Sequence, residues 1–179
     1  MAYTGPSIEQ KSSWPQEALW DYSLAYYARD SVPQFLLALQ DQYDLDVNLI
    51  LLAIWAGAES GLLLKDEHFS KLDSAVCEWR ENVVKPLRAV RRAFKIFKTI
   101  EIARAGDIRT RIKAAELDAE HVAQIMLMNK ISDLTKVATT SKYADAAAAN
   151  LDSYFKYAAI DMNEQIQDAR IFLVSRTET

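Results

Sequence analysis

The sequence predicts an all-α fold: a single-domain, irregular or orthogonal bundle of about six to eight helices around a buried central helix at about residues 46–60. Only four glycines and four prolines occur among 179 residues, and so few chain-breaking residues argue against a β-rich protein with many tight turns. Apolar residues recur at spacings of three and four, the period of a helix, while no strand-like alternation lasts for more than a few positions. We therefore expect residues 1–12 to form a flexible tail and residues 13–175 to form one helical domain.

Two matching segments, Ser13–Gln16 and Ser31–Gln34, have the composition of a helix start. In each, the serine hydroxyl can accept a hydrogen bond from a free backbone amide, and the glutamine three residues later can reach back to the serine. The proline between them removes an amide that would have no helical partner. These segments predict helices at about 15–29 and 33–43.

The third helix is the predicted centre of the bundle. Asp46 is a suitable N-cap, and Gly61 can adopt the left-handed conformation that closes a helix. A helix that is apolar on all sides belongs in the middle of a fold. The apolar residues that surround its circumference are Val47, Leu49, Ile50, Leu51, Leu52, Ile54 and Trp55.

Two longer helices are predicted next, at about 66–83 and from there to about 105. Pro86 marks a kink or a fresh start between them, because its ring clashes with the carbonyl four residues earlier. Apolar residues spaced by three and four predict that one face of the second helix packs inward. The residues of this stripe are Val83, Leu87, Val90, Phe94 and Phe97.

Beyond Gly106, which we expect to break or bend the chain, a sixth helix is predicted at about 107–134. The inward-facing residues expected on it are Ile112, Ala115, Ala119, Val122, Ile125 and Met126. A last helical region is predicted at about 142–174, with Asn150 as its candidate interruption.

Charge is distributed unevenly along this chain, whose net charge is −4. Residues 80–113 hold 11 basic and 3 acidic residues, and such segregation creates a local field that can hold an anion, a phosphate or an acidic surface. Arginine suits bidentate capture of carboxylates and phosphates. The candidate ligand-binding or partner-binding residues are this basic face and polar residues expected beside it: Arg80, Lys85, Arg88, Arg91, Arg92, Lys95, Asp21, Asp41 and Asn48.

The basic residues have two interpretations, and the sequence leaves both open. They form an exposed anion-binding face opposite the apolar stripe, or they pair with the acidic residues of the chain itself. In the second case, a cluster of Asp21, Asp41, Arg80, Arg88 and Arg92 specifies how the helices pack. Further internal partners available for pairing are Asp46, Glu116 and Glu120.

Several motifs in the first two thirds of the chain occur in a characteristic order. They are LWDYSLAYY at 19–27, LQD at 39–41, LDVNL at 45–49, WR, VV, PLR and RR between 79 and 92, and EL with AE between 116 and 120. In these motifs the chain resembles a small, mostly proteobacterial family of functionally uncharacterised proteins, over about residues 14–121. The resemblance implies a cytoplasmic helical protein.

The function that these features favour is a non-catalytic cytoplasmic binding or adaptor protein, whose arginine-rich face engages an anionic small molecule or an acidic protein partner. The alternative is a small helical enzyme that acts on an anionic or amphipathic metabolite. In that case Arg88 and Arg92 hold the substrate, and Asp21 or Asp41 transfers protons.

Other classes of function are not expected. Neither of the two histidines follows a glutamate by three residues, as the paired Glu-x-x-His elements of di-iron bundles require, and we expect no metal site and no cofactor. Nucleic acid is an unlikely partner, because the aromatic residues near the basic ones are expected to point inward. The longest uncharged stretch, Val47–Ala58, is shorter than the about 20 residues of a membrane-spanning helix. A single cysteine favours a reducing cytoplasm.

Overall fold

The structure, a computed structural model, describes residues 14–94, 102–134, 137–140 and 142–177. In these ranges the chain forms an all-α bundle, as predicted. The predicted tail at 1–12 and the candidate residue Lys95 lie outside the described residues. In chain order the elements are α1 (Ala18–Tyr27), α2 (Val32–Tyr43), α3 (Val47–Ser60), β1 (Leu62–Leu63), α4 (Asp66–Trp79), a π-helical turn (Arg80–Val84), α5 (Lys85–Ala93), α6 (Ile102–Ser132), β2 (Ala138–Thr139), α7 (Tyr143–Tyr157) and α8 (Glu164–Ser175).

Helix α3 lies at the centre of the bundle, and its ends are those that the sequence predicts. The Asp46 carboxylate accepts a hydrogen bond from the Asn48 amide at 2.8 Å, and Gly61 closes the helix with a φ of 61°. A Cβ on Gly57 would lie only 2.2 Å from the backbone nitrogen of Ala147. Helices α3 and α7 are therefore in backbone contact, which explains the alanine-rich sequence of α7.

Asn150 lies inside α7 and is completely buried, so the prediction that it interrupts the helix is wrong. Its side-chain oxygen accepts from the Leu64 amide at 2.7 Å, and its side-chain nitrogen donates to the carbonyls of Ala53 and Leu62 at 3.0 and 2.9 Å. The residue thus joins α7 to the middle of α3 and to the segment that follows α3. The C-terminal region divides instead after Tyr157, where α7 ends.

The segment that Asn150 anchors contains a strand pair that the sequence did not predict. Leu62 and Leu63 pair antiparallel with Thr139 and Ala138. Two residues are too few to produce a recognisable alternation of polar and apolar side chains. The pair joins the end of α3 to the connection between α6 and α7.

The second half of the bundle agrees with the prediction at Pro86, where a new helix, α5, begins, and differs from it at Gly106. Before Pro86, the helix passes through a π-helical turn in which the Lys85 amide donates to the Arg80 carbonyl, five residues earlier. This wider turn shifts the hydrogen-bonding pattern where proline cannot take part. Gly106 lies inside α6 and breaks nothing, while α5 ends at Ala93, well before the predicted limit near 105.

The buried faces of α5 and α6 match those predicted only in part, since Ala119 is buried as expected but other residues are not. No residue of α5 is fully buried, and Val90, expected inside, is 47% exposed. On α6, the expected core residue Val122 is exposed, whereas Glu116 and Gln124 are buried. The two helices meet through charged and polar side chains, which a search for apolar stripes does not detect.

The predicted capping box at Ser31 does not form. Ser31 has a φ of 64° and makes no side-chain cap, because the chain turns tightly there and the Val32 amide donates to the Arg29 carbonyl at 3.3 Å. The other predicted capping serine, Ser13, lies outside the described residues. Among those that are described, no helix combines the length and apolar character needed to cross a lipid bilayer.

Candidate functional site

A cavity of about 460 Å³ lies between α1, α2, α3, α5 and α6. Its volume falls within the range of about 300–1,000 Å³ that is typical of small-molecule sites. The lining combines a mostly apolar outer part with a polar and charged inner part. The lining residues are Trp20, Ser23, Leu24, Tyr27, Leu37, Gln40, Val47, Asn48, Leu51, Arg88, Arg91, Lys113, Glu116, Leu117, Glu120 and Gln124.

Three large aliphatic side chains on three different helices are exposed in this cavity. Leu24 on α1 is 51% exposed, Leu37 on α2 is 44% exposed and Leu117 on α6 is 51% exposed. Single exposed leucines are ordinary, but a group of them around one concave opening marks a binding surface. The outer part of the cavity is therefore suited to an apolar group.

The inner wall is built from ion pairs between α5 and α6. Arg88 donates through Nη2 to Glu120 Oε1 at 2.5 Å and through Nε to Glu116 Oε1 at 3.3 Å. Arg91 makes two bonds to Glu116, one from Nε to Oε2 and one from Nη2 to Oε1 at 3.0 Å. All four side chains are largely buried, so solvent screens these charges less than it screens surface pairs.

A chain of hydrogen bonds crosses the floor of the cavity and ends at Glu120. Ser23 Oγ donates to Gln124 Oε1 at 3.2 Å, and Gln124 Nε2 donates to Asn48 Oδ1 at 3.0 Å. Asn48 Nδ2 then donates to Glu120 Oε2 at 2.6 Å. Because an ionised carboxylate only accepts, it orients the Asn48 amide, which in turn orients Gln124. Every donor in the chain thus points toward Glu120.

The two glutamates of the cavity, one helical turn apart on α6, have opposite pKa shifts. Burial opposes the ionisation of Glu116, but the hydrogen bonds and charges of Arg91 and Arg88 outweigh it and hold its pKa below the ordinary value. Burial raises the pKa of Glu120, and the negative charge of Asp46 adds to that effect. Arg88 and Asn48 offset it only in part. Neighbouring carboxyls with divergent pKa values are a common feature of sites that handle protons.

Of the nine candidate residues, Asn48, Arg88 and Arg91 line this cavity. Asp21 is exposed on α1 and does not line it. Asp41 also lies outside the cavity, where it pairs with Arg92 at 2.6 Å.

The other candidate cations have acidic partners outside this cavity, although Arg80 and Lys85 line a smaller cleft together with Arg88 and Asn48. Arg80 binds Asp46 at 2.9 Å and Asp73 at 2.5 Å at the start of α3. Lys85 pairs with Glu81 at 2.9 Å, on the same side of the bundle. The single cluster of Asp21, Asp41, Arg80, Arg88 and Arg92 expected in the sequence analysis is therefore not formed.

These contacts answer the question that the sequence left open. Each candidate cation within the described residues has a carboxylate of the same chain as its partner. The ion pairs between α5 and α6 explain why, since Arg88 and Arg91 share the face of α5 that packs on Glu116 and Glu120. The arginines between α5 and α6 thus serve mainly in internal packing, whereas Arg92, which pairs with Asp41 outside the cavity, stays half exposed.

Sequence reasoning treated Glu116 and Glu120 only as possible partners and missed Trp20, Gln124 and Lys113. A detectable signal was present: two arginines three residues apart on α5 match two glutamates four residues apart on α6. Lys113 lies on the cavity wall, is exposed, and forms no ion pair with any residue that the structure describes.

Comparisons with known proteins place the chain in a family. No curated protein and no solved structure matches it significantly. A family model described as a protein of unknown function (DUF2390) matches residues 18–127, more than half of the chain. Every residue that lines the cavity lies within the matched range. The chain therefore belongs to this DUF2390 family of proteins of unknown function.

Proposed function

We propose that this chain is a binding protein of the bacterial cytoplasm that takes up a small molecule with an apolar body and an anionic head group. The observation that carries the proposal is the cavity of about 460 Å³, whose outer part is aliphatic and aromatic and whose inner wall holds arginines. Ligand pockets commonly combine a mostly apolar lining with a few polar groups that fix the orientation of the ligand.

The exposed leucines at 24, 37 and 117 and the indole of Trp20 supply the surface for the apolar body. Trp20 is held in place by His121, whose ring stacks on it with centroids 4.3 Å apart. His121 is itself hydrogen-bonded to Glu17 at 2.6 Å. A fixed aromatic face offers contact area with little loss of conformational entropy on binding.

The charges of the lining favour an anion. Arg88, Arg91 and Lys113 face Glu116 and Glu120, which leaves one positive charge in excess. Lys113 contributes that excess, because the two arginines are bonded to the two glutamates. An anionic head group that contacts Lys113 would neutralise the excess charge.

A small molecule fits these contacts better than an acidic protein partner. The guanidinium groups of Arg88 and Arg91 are largely buried in their ion pairs, so they present little charge to a flat protein surface. The accessible part of the site is also concave and lined by side chains from five elements, which suits a compact ligand.

Two fluorescent probes of similar shape test the proposal. Anilinonaphthalene sulfonate (ANS) carries an anionic group, and phenylnaphthylamine is the corresponding molecule without it. We expect both probes to bind saturably at one site per chain, with the anionic probe binding more tightly.

A charge reversal on the cavity wall tests the contribution of the head group. Lys113→Glu should weaken ANS binding by about fivefold, a typical effect for reversing one exposed charge near a ligand, and should leave the neutral probe unaffected. Arg111→Glu is the matched control, since Arg111 is exposed on the same helix and does not line the cavity. Equal loss of ANS binding in both variants, or no saturable binding of either probe, would contradict the proposal.

A second candidate function, an enzyme acting on the same class of molecule, has one supporting observation. The opposite pKa shifts of Glu116 and Glu120 resemble those of an acid–base pair. Because Asp21 and Asp41 lie outside the cavity, the glutamates would carry that chemistry. Mass spectrometry of amphipathic acids recovered after incubation with the protein distinguishes conversion from binding alone.

A further inference from the structure

We propose that the anion enters the cavity together with a proton: Glu120 becomes protonated as the anionic head group of the ligand replaces it as the partner of Arg88. This inference rests on the proposed function and deepens it, because it defines the ligand as an anion that exchanges with a carboxylate of the protein. No covalent bond changes. The proton comes from the solvent, binds Glu120 Oε1, and returns to the solvent when the ligand leaves.

An anion that binds Arg88 competes with Glu120 for the same guanidinium. Its guanidinium is shared between Glu120 and Glu116, at 2.5 and 3.3 Å, and it forms part of the inner cavity wall. An anion that approaches Arg88 from the cavity meets the negative charge of Glu120 at the same guanidinium. Two negative groups that share one site cannot both remain ionised without a large energetic cost, so one of them takes up a proton.

Glu120 can accept that proton without leaving a buried group unsatisfied. Its Oε2 continues to accept the hydrogen bond from Asn48, which is 2.6 Å long in the unliganded site. The new hydroxyl at Oε1 then donates to the ligand anion. Arg88 stays in position through its second bond, from Nε to Glu116. The exchange thus avoids the desolvation penalty of an unpaired buried donor or acceptor.

Glu120, rather than Glu116, is the proton acceptor because the two carboxylates have different numbers of arginine partners. Glu116 accepts three hydrogen bonds, two from Arg91 and one from Arg88. Glu120 accepts one from Arg88 and one from the neutral amide of Asn48. Less positive charge therefore stabilises ionised Glu120, which is in agreement with its raised pKa.

Other charged and titratable groups around Glu120 do not replace it in this role. Asp46, at the start of α3, adds a negative charge that favours protonation of Glu120, and Asp46 is itself paired with Arg80. Tyr27 on α1 has a pKa raised by burial and stays neutral. Among the described residues, the charged and titratable groups that line a cavity with Glu120 come from all of the neighbouring elements. They are Arg80 from the π-helical turn, Lys85, Arg88 and Arg91 from α5, Asp44 and Asp46 from the connection between α2 and α3, Tyr27 from α1, and Lys113 and Glu116 from its own helix.

Calorimetric titration with ANS in two buffers of different ionisation enthalpy measures the proton uptake directly. The sulfonate of ANS stays ionised between about pH 6 and pH 8, so any proton that is taken up binds the protein. We expect the uptake to approach one proton per ANS at the upper end of this range, where free Glu120 is ionised. Over the same range the affinity for ANS should rise by up to about tenfold for each unit by which the pH falls.

Three comparisons assign the proton to Glu120. Glu120→Gln should bind ANS with no proton uptake and with an affinity that does not change with pH, while Asp118→Asn, an exposed neighbour outside the cavity, should behave as the wild type. The neutral phenylnaphthylamine should bind the wild type without proton uptake.

The outcomes separate this inference from the function on which it rests. Saturable ANS binding without proton uptake by the wild type overturns the inference and leaves the proposed function standing. Proton uptake that persists in Glu120→Gln also overturns it. If neither probe binds, the proposed function fails. If the Glu120→Gln chain does not fold, the comparison of ANS with phenylnaphthylamine on the wild type still tests the inference. Equal proton uptake with the two probes contradicts the exchange.

Discussion

Asn48, in the first turn of α3, donates its side-chain amide to Glu120 on α6 at 2.6 Å. This bond joins the most deeply buried helix of the bundle to the charged wall of the cavity. It also sets the direction of the chain from Ser23 through Gln124, since each amide is oriented by its neighbour. The helix that organises the core thus also positions the polar groups of the candidate site.

Removing this amide should destabilise the fold. In Asn48→Ala, the buried groups of Glu120 and Gln124 lose their partner, and we expect the free energy of unfolding to fall by about 2 kcal/mol. Urea denaturation followed by circular dichroism measures the change. Asn82→Ala is the matched control, since Asn82 is exposed and its side chain donates to the Glu78 carbonyl one turn earlier; its effect should stay within about 0.5 kcal/mol. Equal losses of unfolding free energy in the two variants would show that the Asn48 amide has no special role.

Two glycine substitutions should change stability in opposite directions. In Gly57→Ala, the new methyl group would lie 2.2 Å from the Ala147 nitrogen, and we expect a loss of at least about 3 kcal/mol as α3 and α7 separate. In Gly106→Ala, no atom of the described residues lies within 4 Å of the new methyl group, so the higher helix propensity should stabilise the chain by about 0.5–1 kcal/mol. Thermal melts of both variants check this pair, and a tolerated Gly57→Ala would contradict the close contact.

Stability should depend on pH through Glu120 in a defined direction. A carboxyl whose pKa is raised by folding binds more protons in the folded than in the unfolded chain, so its contribution to stability is present at low pH and is lost as the pH rises. Relative to Glu120→Gln, the wild type should therefore lose stability from about pH 4.3, the ordinary pKa of glutamate, until the pH exceeds the raised pKa of Glu120. Urea denaturation at a series of pH values measures the difference, and a constant difference would exclude a raised pKa.

Polar substitution at the cavity mouth should weaken binding without weakening the fold. Leu117→Ser removes part of the apolar surface for the ligand body, and we expect phenylnaphthylamine to bind about fivefold less tightly, the equivalent of roughly 1 kcal/mol of lost burial. Ile171→Ser is the control, since Ile171 is similarly exposed, at 54%, and lies on α8 away from the cavity. If Ile171→Ser lowers the affinity for phenylnaphthylamine as much as Leu117→Ser does, the probe does not occupy this cavity.

The sequence predicted those parts of the fold whose signals are local. Asp46 and Gly61 lie at the ends of the central helix, and both perform the capping roles expected of their residue types. The prediction of a break at Gly106 was wrong because a glycine inside a long helix lowers the stability of that helix by only about 1 kcal/mol. The rest of α6 offsets this loss. The prediction of a capping box at Ser31 was wrong because the backbone conformation of this residue depends on the turn that joins two helices.

The site was less predictable, because it depends on contacts between residues far apart in the chain. Arg88 and Arg91 were identified as candidates from their charge, but their partners Glu116 and Glu120 lie 25 to 32 residues later. The apolar stripe placed these arginines on the outer face of α5, whereas the ion pairs place them inside. Pairing between helices therefore decided which face was buried, and periodicity alone contains no information about it.

A crystal structure of the complex with ANS tests the central claim most directly. We expect the sulfonate to lie within hydrogen-bond distance of the Arg88 guanidinium and the aromatic rings to contact Trp20 and Leu117. Density for ANS at another surface, with the cavity holding only water, would contradict the claim that this cavity is a site for an amphipathic anion.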